Sequence, residues 1–241
     1  LTSLTLPLLL GLLVVHFAEI IVRLIGLNAM PLSTAFDALS FLAFSILVVY
    51  IIIELTTKNK ASGLFILSFA FIAEVISSFN HTWKLETNEL LTNPNFAIHA
   101  SLTIMGYTAL SLSAIYALLY IIQHRNMKKR RFGIIYDQLP AVTHLEIMSI
   151  RSVAIGIVLM GTGLLLGHIQ AKTVFGAFWL NDPKVIISDI IWLCYFVGYI
   201  LARSLRWRGR WMAYLSLSGF LMLLFAAALL MMTTESFHKF Y

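Results

Sequence analysis

The chain is poor in charge. Only 12% of its 241 residues are Asp, Glu, Lys or Arg, about half the share of an ordinary soluble domain. So little charge excludes a soluble enzyme and a disordered tail. Cysteine is nearly absent too. The one thiol, Cys194, sits in an apolar stretch, so neither a disulfide within the chain nor a C-x-x-C redox pair can form. The opening residues, LTSLTLPLLLGLL, lack a methionine and a basic n-region; no cleavable signal is expected. No HExxH run and no Cys/His run offers zinc its ligands. Neither a nucleotide-binding loop nor a nucleophile–base pair is visible, so hydrolytic chemistry is not expected.

What is abundant is hydrocarbon. Apolar residues make up 60% of the chain and the mean hydropathy is +0.88. A spanning helix needs about 20 apolar residues, which leaves material for seven spans and little else. Hydropathy places them at 4–26, 36–56, 61–79, 95–123, 147–169, 184–203 and 211–233. Gly, Pro and polar clusters punctuate the joints, as in NAMPLS (28–33), YDQLP (136–140) and NDPK (181–184). The expected fold is all-α, a polytopic bundle of about seven transmembrane helices.

The net charge is +6. Most of the cations lie in three connections: Lys58 and Lys60; Arg125, Lys128, Lys129, Arg130 and Arg131; and Arg203, Arg206, Arg208 and Arg210. All three fall on one membrane side if the N-terminus is inside, and the positive-inside rule makes that side cytoplasmic. The C-terminus is then outside. The basic runs are expected to set topology and meet anionic lipid heads rather than nucleic acid. The membrane is expected to be the cytoplasmic one, with an organellar membrane as the other option.

The opposite face collects His81, His99, His168 and His238, with aromatics that include Phe96, Phe175, Phe178 and Trp179. Lys172 and Lys184 join them. Neutral imidazole is the commonest metal ligand, and axial imidazole holds haem iron. A flat macrocycle packs on aromatic rings, and its propionates pair with cations. An ordinary interfacial aromatic belt accounts for the same residues. His124 and His144 map to the cytoplasmic side and read as plain interfacial residues.

The stretch GHIQAKTVFGAFWLNDPKVIISDIIW (167–192) resembles the haem-handling cytochrome c assembly family, the CcsA/ResC/CcmC/HemX group with its tryptophan-rich WWD loop. Phe175 stands at the loop's first Trp and Asn181 at its third, while Gly176, Trp179, Asp182, Pro183 and Lys184 match. Trp192 and the W-R-G run at 207–209 also fit. Upstream, IHASLTIMGY resembles the family's helix with His at its outer end, and LPAVTHLE (139–146) resembles another family segment. The tail ESFHKF lies where the family has a second external His. The resemblance runs over about 95–241; residues 1–94 match in hydropathy alone and form an N-terminal three-helix part.

That resemblance implies haem b held outside the membrane by His99 and His238; the placement of His168 and His16 in the sequence makes them weaker iron candidates. It implies a platform of Phe175, Gly176, Trp179, Asp182, Pro183 and Lys184, to which the residues gathered on that face add Phe178 and Lys172. It implies haem delivery rather than an enzyme's turnover, with apocytochrome c and a second membrane protein as partners. The altered tryptophans, and the lack of a His in GYILA (198–202), point to the alternative reading, a HemX-like regulatory or scaffold subunit without haem. A small-molecule transporter is the remaining reading.

Inside the bilayer, His16 and Glu19 are three apart and share a helix face. Ionisable groups at membrane depth cost about 2.5–3.5 kcal/mol on insertion scales. The pair reads either as a proton-handling or ligand site or as a neutral bond between helices. Glu74 and Asp189 are expected to be structural. Gly156, Gly161, Gly163 and Gly167 would let helices pack closely.

Overall fold

The computed structural model describes residues 5–27, 30–32, 34–57, 60–79, 93–133, 136–137, 139–177 and 182–232. Seven helices occupy them: α1 (Thr5–Leu27), α2 (Ala35–Thr57), α3 (Gly63–Phe79), α4 (Pro94–Lys128), α5 (Val142–Phe175), α6 (Pro183–Ser204) and α7 (Arg210–Met232). Six are long and apolar enough to cross a membrane. The seventh, α3, has 17 residues, the short limit for a span. The chain is a multi-pass integral membrane protein.

The helix ends follow local chemistry. At the start of α2, Thr34 and Asp37 cap each other: the Thr34 N–H and hydroxyl donate to Asp37 Oδ2 at 3.0 and 2.8 Å, and the Asp37 N–H donates to Thr34 Oγ1 at 3.1 Å. This is a capping box with Asp in the acidic position. Asn93 caps α4 through its side chain, with Pro94 in the first turn. α4 and α5 run 35 and 34 residues. Each is longer than its hydropathic window, because polar residues such as His124, Arg125, Glu146 and Gln170 continue the helix past the apolar stretch.

α4 is the hub. It packs most extensively on α5 and also against α2, α3 and α7; α6 leans on α5 and α7. One core joins Ile46 and Tyr50 of α2, Ile66 of α3, Tyr116 of α4 and Ala213 of α7. A second joins Leu110 of α4, Met160 of α5, Tyr195 of α6 and Ala226 of α7. α1 rests on α2, and most of its apolar residues face outward, as lipid contact requires.

Where α4, α5 and α7 meet, three buried serines bond to one another. Ser113 Oγ lies 3.2 Å from Ser149 Oγ and 3.1 Å from Ser216 Oγ. Ser113 and Ser149 also donate to each other's carbonyls at 3.0 Å. Small residues let the backbones approach, and the hydroxyls find partners where lipid offers none.

The three basic connections come to one end of the bundle. Lys60 Nζ reaches Thr5 Oγ1 at 2.9 Å. The Gly209 N–H, between α6 and α7, donates to Glu146 Oε1 near the start of α5 at 2.7 Å. Tyr120, near the end of α4, lies beside Gly209. The opposite end carries the start of α4, the end of α5 and the start of α6.

Candidate functional site

The site is built from the end opposite the basic rim. Here the second turn of α4 meets a groove in α5 made by Gly163 and Gly167. A Cβ on Gly167 would stand 2.6 Å from His99 Cε1 and 2.8 Å from Nδ1. Only glycine leaves room for the imidazole there. The ring then reaches the α5 backbone, with Nδ1 2.6 Å from the Gly163 carbonyl oxygen. A carbonyl only accepts, so Nδ1 carries a proton and donates it. In the neutral ring Nε2 then holds the lone pair. Imidazoles that ligate metals are commonly fixed in this way, by a carbonyl bound to the other nitrogen. Thr103 Oγ1 donates to the His99 carbonyl at 2.9 Å, and the Phe96 ring lies 6.2 Å from the imidazole, centre to centre.

α5 rises beyond His99. From Gly167 to Phe175 it climbs about 12 Å at 1.5 Å per residue, so the α5–α6 loop starts above the imidazole. Gly176 ends the helix in the left-handed region, at φ 74°, and its N–H donates to the Lys172 carbonyl at 3.1 Å. That conformation favours glycine. Asp182 is the N-cap of α6: its buried carboxylate accepts the Lys184 N–H at 2.8 Å, and Pro183 opens the helix. Three of the expected platform residues therefore also stop one helix and start the next. Lys172 is exposed in the last turn of α5, and Lys184 is half-buried. Phe178, Trp179, Asn181 and His238, and the side chain of Phe175, lie outside the described residues.

His168 is engaged differently. It is buried, and its Nε2 lies 3.1 Å from Asp189 Oδ1, joining α5 to α6. A carboxylate accepts, so the proton sits on that nitrogen. His16 lies in the middle of α1, with Ser40 Oγ at 2.9 Å. The structure thus seats His99 in the Gly163–Gly167 groove of α5, joins His168 to Asp189 and sets His16 against Ser40. Among the described residues, no group of three or more His, Cys, Asp or Glu side chains is arranged to hold a metal ion.

The glycines of α5 belong to more than one seam. Gly163 and Gly167 face α4, while a Cβ on Gly161 would meet the Trp192 indole of α6. Trp192 Nε1 donates to the Ile157 carbonyl at 2.9 Å, so that tryptophan locks α6 onto α5. The roles of Gly167 in seating His99, and of Asp189 in holding His168, were not readable from spacing within one helix.

A family model described as Cytochrome C assembly protein matches residues 32–238. The chain belongs to the cytochrome c assembly protein family. The match starts within the α1–α2 connection, so family likeness extends well before residue 95 and takes in α2 and α3. Protein HemX of Brevibacillus brevis is 29% identical over 172 residues, covering 71% of this chain and 62% of that protein. This chain thus spans less than two thirds of the HemX relative's length. The cytochrome c biogenesis protein CcsA of Heterosigma akashiwo is 24% identical over 229 residues, covering 80% and 71%. CcsA of Chlorella vulgaris is 25% identical over 236 residues, covering 84% and 75%.

Proposed function

We propose that this cytochrome c assembly protein handles haem during cytochrome c maturation, on the membrane face opposite its basic rim. The positive-inside rule makes that face extracytoplasmic. His99 is the first iron ligand in this reading. The observation that carries it is the seat just described: the Gly167 notch takes the ring and the Gly163 carbonyl takes the Nδ1 proton, leaving the coordinating lone pair on Nε2. His238 is the proposed second ligand. It follows Met232, the last described residue of α7, by six residues, a tether of at most about 20 Å.

Phe175, Gly176, Phe178, Trp179, Asp182, Pro183 and Lys184 would border the ring edge, and Lys172 or Lys184 would meet a propionate. When bound, haem would supply an iron that imidazole can ligate and an edge to which an apoprotein could be joined. This chain's part is to hold and orient it. Apocytochrome c and a second membrane protein are the partners this implies.

The test is the absorption spectrum of the purified full chain, oxidised and reduced, in mild detergent. A haem Soret band is expected in the wild type. His99→Ala and His238→Ala should shift or bleach it, and His124→Ala, at the basic end, should not. An unchanged spectrum in both outer variants would refute the assignment.

A second reading is favoured by Phe175 and Asn181 standing in place of tryptophan and by the HemX relative. In it the chain is a regulatory or scaffold subunit that binds no haem. Failure of the wild type to acquire a Soret band from added haem decides for that reading.

A further inference from the structure

A second polar cluster lies among the apolar helices α1, α2 and α3, away from the proposed haem site. His16 is near the centre of α1. Its Nε2 lies 2.9 Å from Ser40 Oγ of α2, 3.8 Å from Glu19 Oε2 and 3.7 Å from Glu74 Oε2 of α3. The Ser40 hydroxyl is also within reach of Glu19 Oε2, at 3.5 Å. The His16 side chain is only 10% exposed, with the Phe44 ring edge-on at 5.5 Å. Glu74 Oε2 is buried and has no hydrogen-bond partner among the described residues. Three helices thus bring two carboxyls and one imidazole to a single point.

The surrounding charges are few. Toward the end of α1, Arg23 pairs with Asp37 at 2.6 Å. At the basic end, Glu54 pairs with Lys60 at 3.2 Å. In each pair the opposite charges neutralise one another, while Arg23 Nε finds no hydrogen-bond partner among the described residues. No other charged residue of α1, α2 or α3 is available to balance the cluster. With a neutral imidazole and two carboxylates it would carry two negative charges in hydrocarbon, where even one is costly. Neutrality requires two protons shared among the three groups. A crevice with room for about one water molecule is lined by Glu19, Ser40, Arg23 and Asp37.

We propose that His16, Ser40, Glu19 and Glu74 form an intramembrane proton-binding site, with the Ser40 hydroxyl as relay between His16 and Glu19. The step balances. The proton on His16 Nε2 passes to Ser40 Oγ as the hydroxyl proton passes to Glu19 Oε2. One N–H and one O–H bond break, and two O–H bonds form. Imidazolium and carboxylate become neutral imidazole and carboxylic acid. Glu74, facing the same nitrogen, holds the second proton. Exchange with water runs along the crevice past Arg23 and Asp37. The ligand is a proton rather than a metal ion, since no metal-sized grouping exists among the described residues. The site is independent of haem, and its test needs none.

The experiment is infrared spectroscopy of the full chain in nanodiscs of zwitterionic lipid, at neutral pH in water and in D2O. The wild type should show a carboxylic-acid carbonyl band that shifts to lower frequency in D2O. Glu74→Gln should remove part of that band, and Glu19→Gln combined with Glu74→Gln should remove it. Absence of the band in the wild type overturns the proposal without any variant. So does a band that survives the double substitution. In Ser40→Ala, deuterium exchange of the band should slow by at least about tenfold; exchange at the wild-type rate overturns the relay.

Discussion

His99 Nδ1 stands 2.6 Å from the carbonyl of Gly163, a residue 64 positions away on a neighbouring helix. Because that oxygen lies on a rigid helix, the contact fixes both the tautomer and the tilt of the ring. Two glycines make it possible, and they do so differently. A Cβ on Gly167 would meet the imidazole itself, whereas a Cβ on Gly163 would stand 2.5 Å from Thr103 Oγ1 and 2.9 Å from the Thr103 backbone nitrogen.

Substitution at the two positions should therefore separate ligand geometry from stability. Gly167→Ala is expected to displace the imidazole, shifting or weakening a haem spectrum while the fold largely holds. Gly163→Ala pushes against backbone and should cost more stability, toward the upper end of the about 1–3 kcal/mol typical of overpacking. Thermal unfolding in detergent, beside haem titration of each variant, checks both. Equal effects of the two alanines on both readouts would contradict the seat as described.

The His168–Asp189 contact gives a second prediction. Asp189→Asn keeps the shape and removes the charge. Its loss should destabilise the α5–α6 pair by about 1.5–3 kcal/mol, the range for hydrogen bonds to charged groups. It should leave iron ligation by His99 intact, because His99 bonds to α5 on the α4 side. Thermal unfolding measures the first effect, and the haem spectrum the second.

The spans, their order and their gathering of basic connections at one end were all legible in the sequence, because hydropathy reports depth directly. Helix stops were legible as well: Gly176 and the Asp182–Pro183 pair are ordinary termination and capping letters, although their family resemblance had singled them out as platform. Hydropathy says nothing about which way a residue points around its helix. The meetings of His16 with Glu74, of His168 with Asp189 and of His99 with Gly163 all cross between helices. Each depends on rotation and register that only packing decides.

The serine triad offers a test of coupling. Removing one hydroxyl leaves two that still bond to each other or to a carbonyl, so Ser216→Ala should cost about 1 kcal/mol. Ser113→Ala also removes the donor to the Ser149 carbonyl and should cost more. The double variant should fall short of the sum, because the lost contacts are the same ones. A double-mutant cycle by thermal unfolding reads the coupling; strict additivity would mean that the three hydroxyls act separately.

The Arg23–Asp37 pair should behave as a buried ion pair that also caps a helix. Asp37 is fully buried and Arg23 nearly so, and the guanidinium lies 4.5 Å from the centre of the Phe36 ring. Arg23→Leu leaves an uncompensated carboxylate among apolar neighbours, a change that typically costs about 3–5 kcal/mol. Arg23→Leu with Asp37→Asn should recover much of that loss, since no buried charge then remains. It should not recover all of it. The Thr34 N–H and hydroxyl both donate to Asp37 Oδ2, and an amide accepts more weakly than a carboxylate. Unfolding of the single and double variants measures the difference; a double variant less stable than Arg23→Leu alone would mean that the pair matters chiefly as a cap of α2, and that its buried charge is of little consequence.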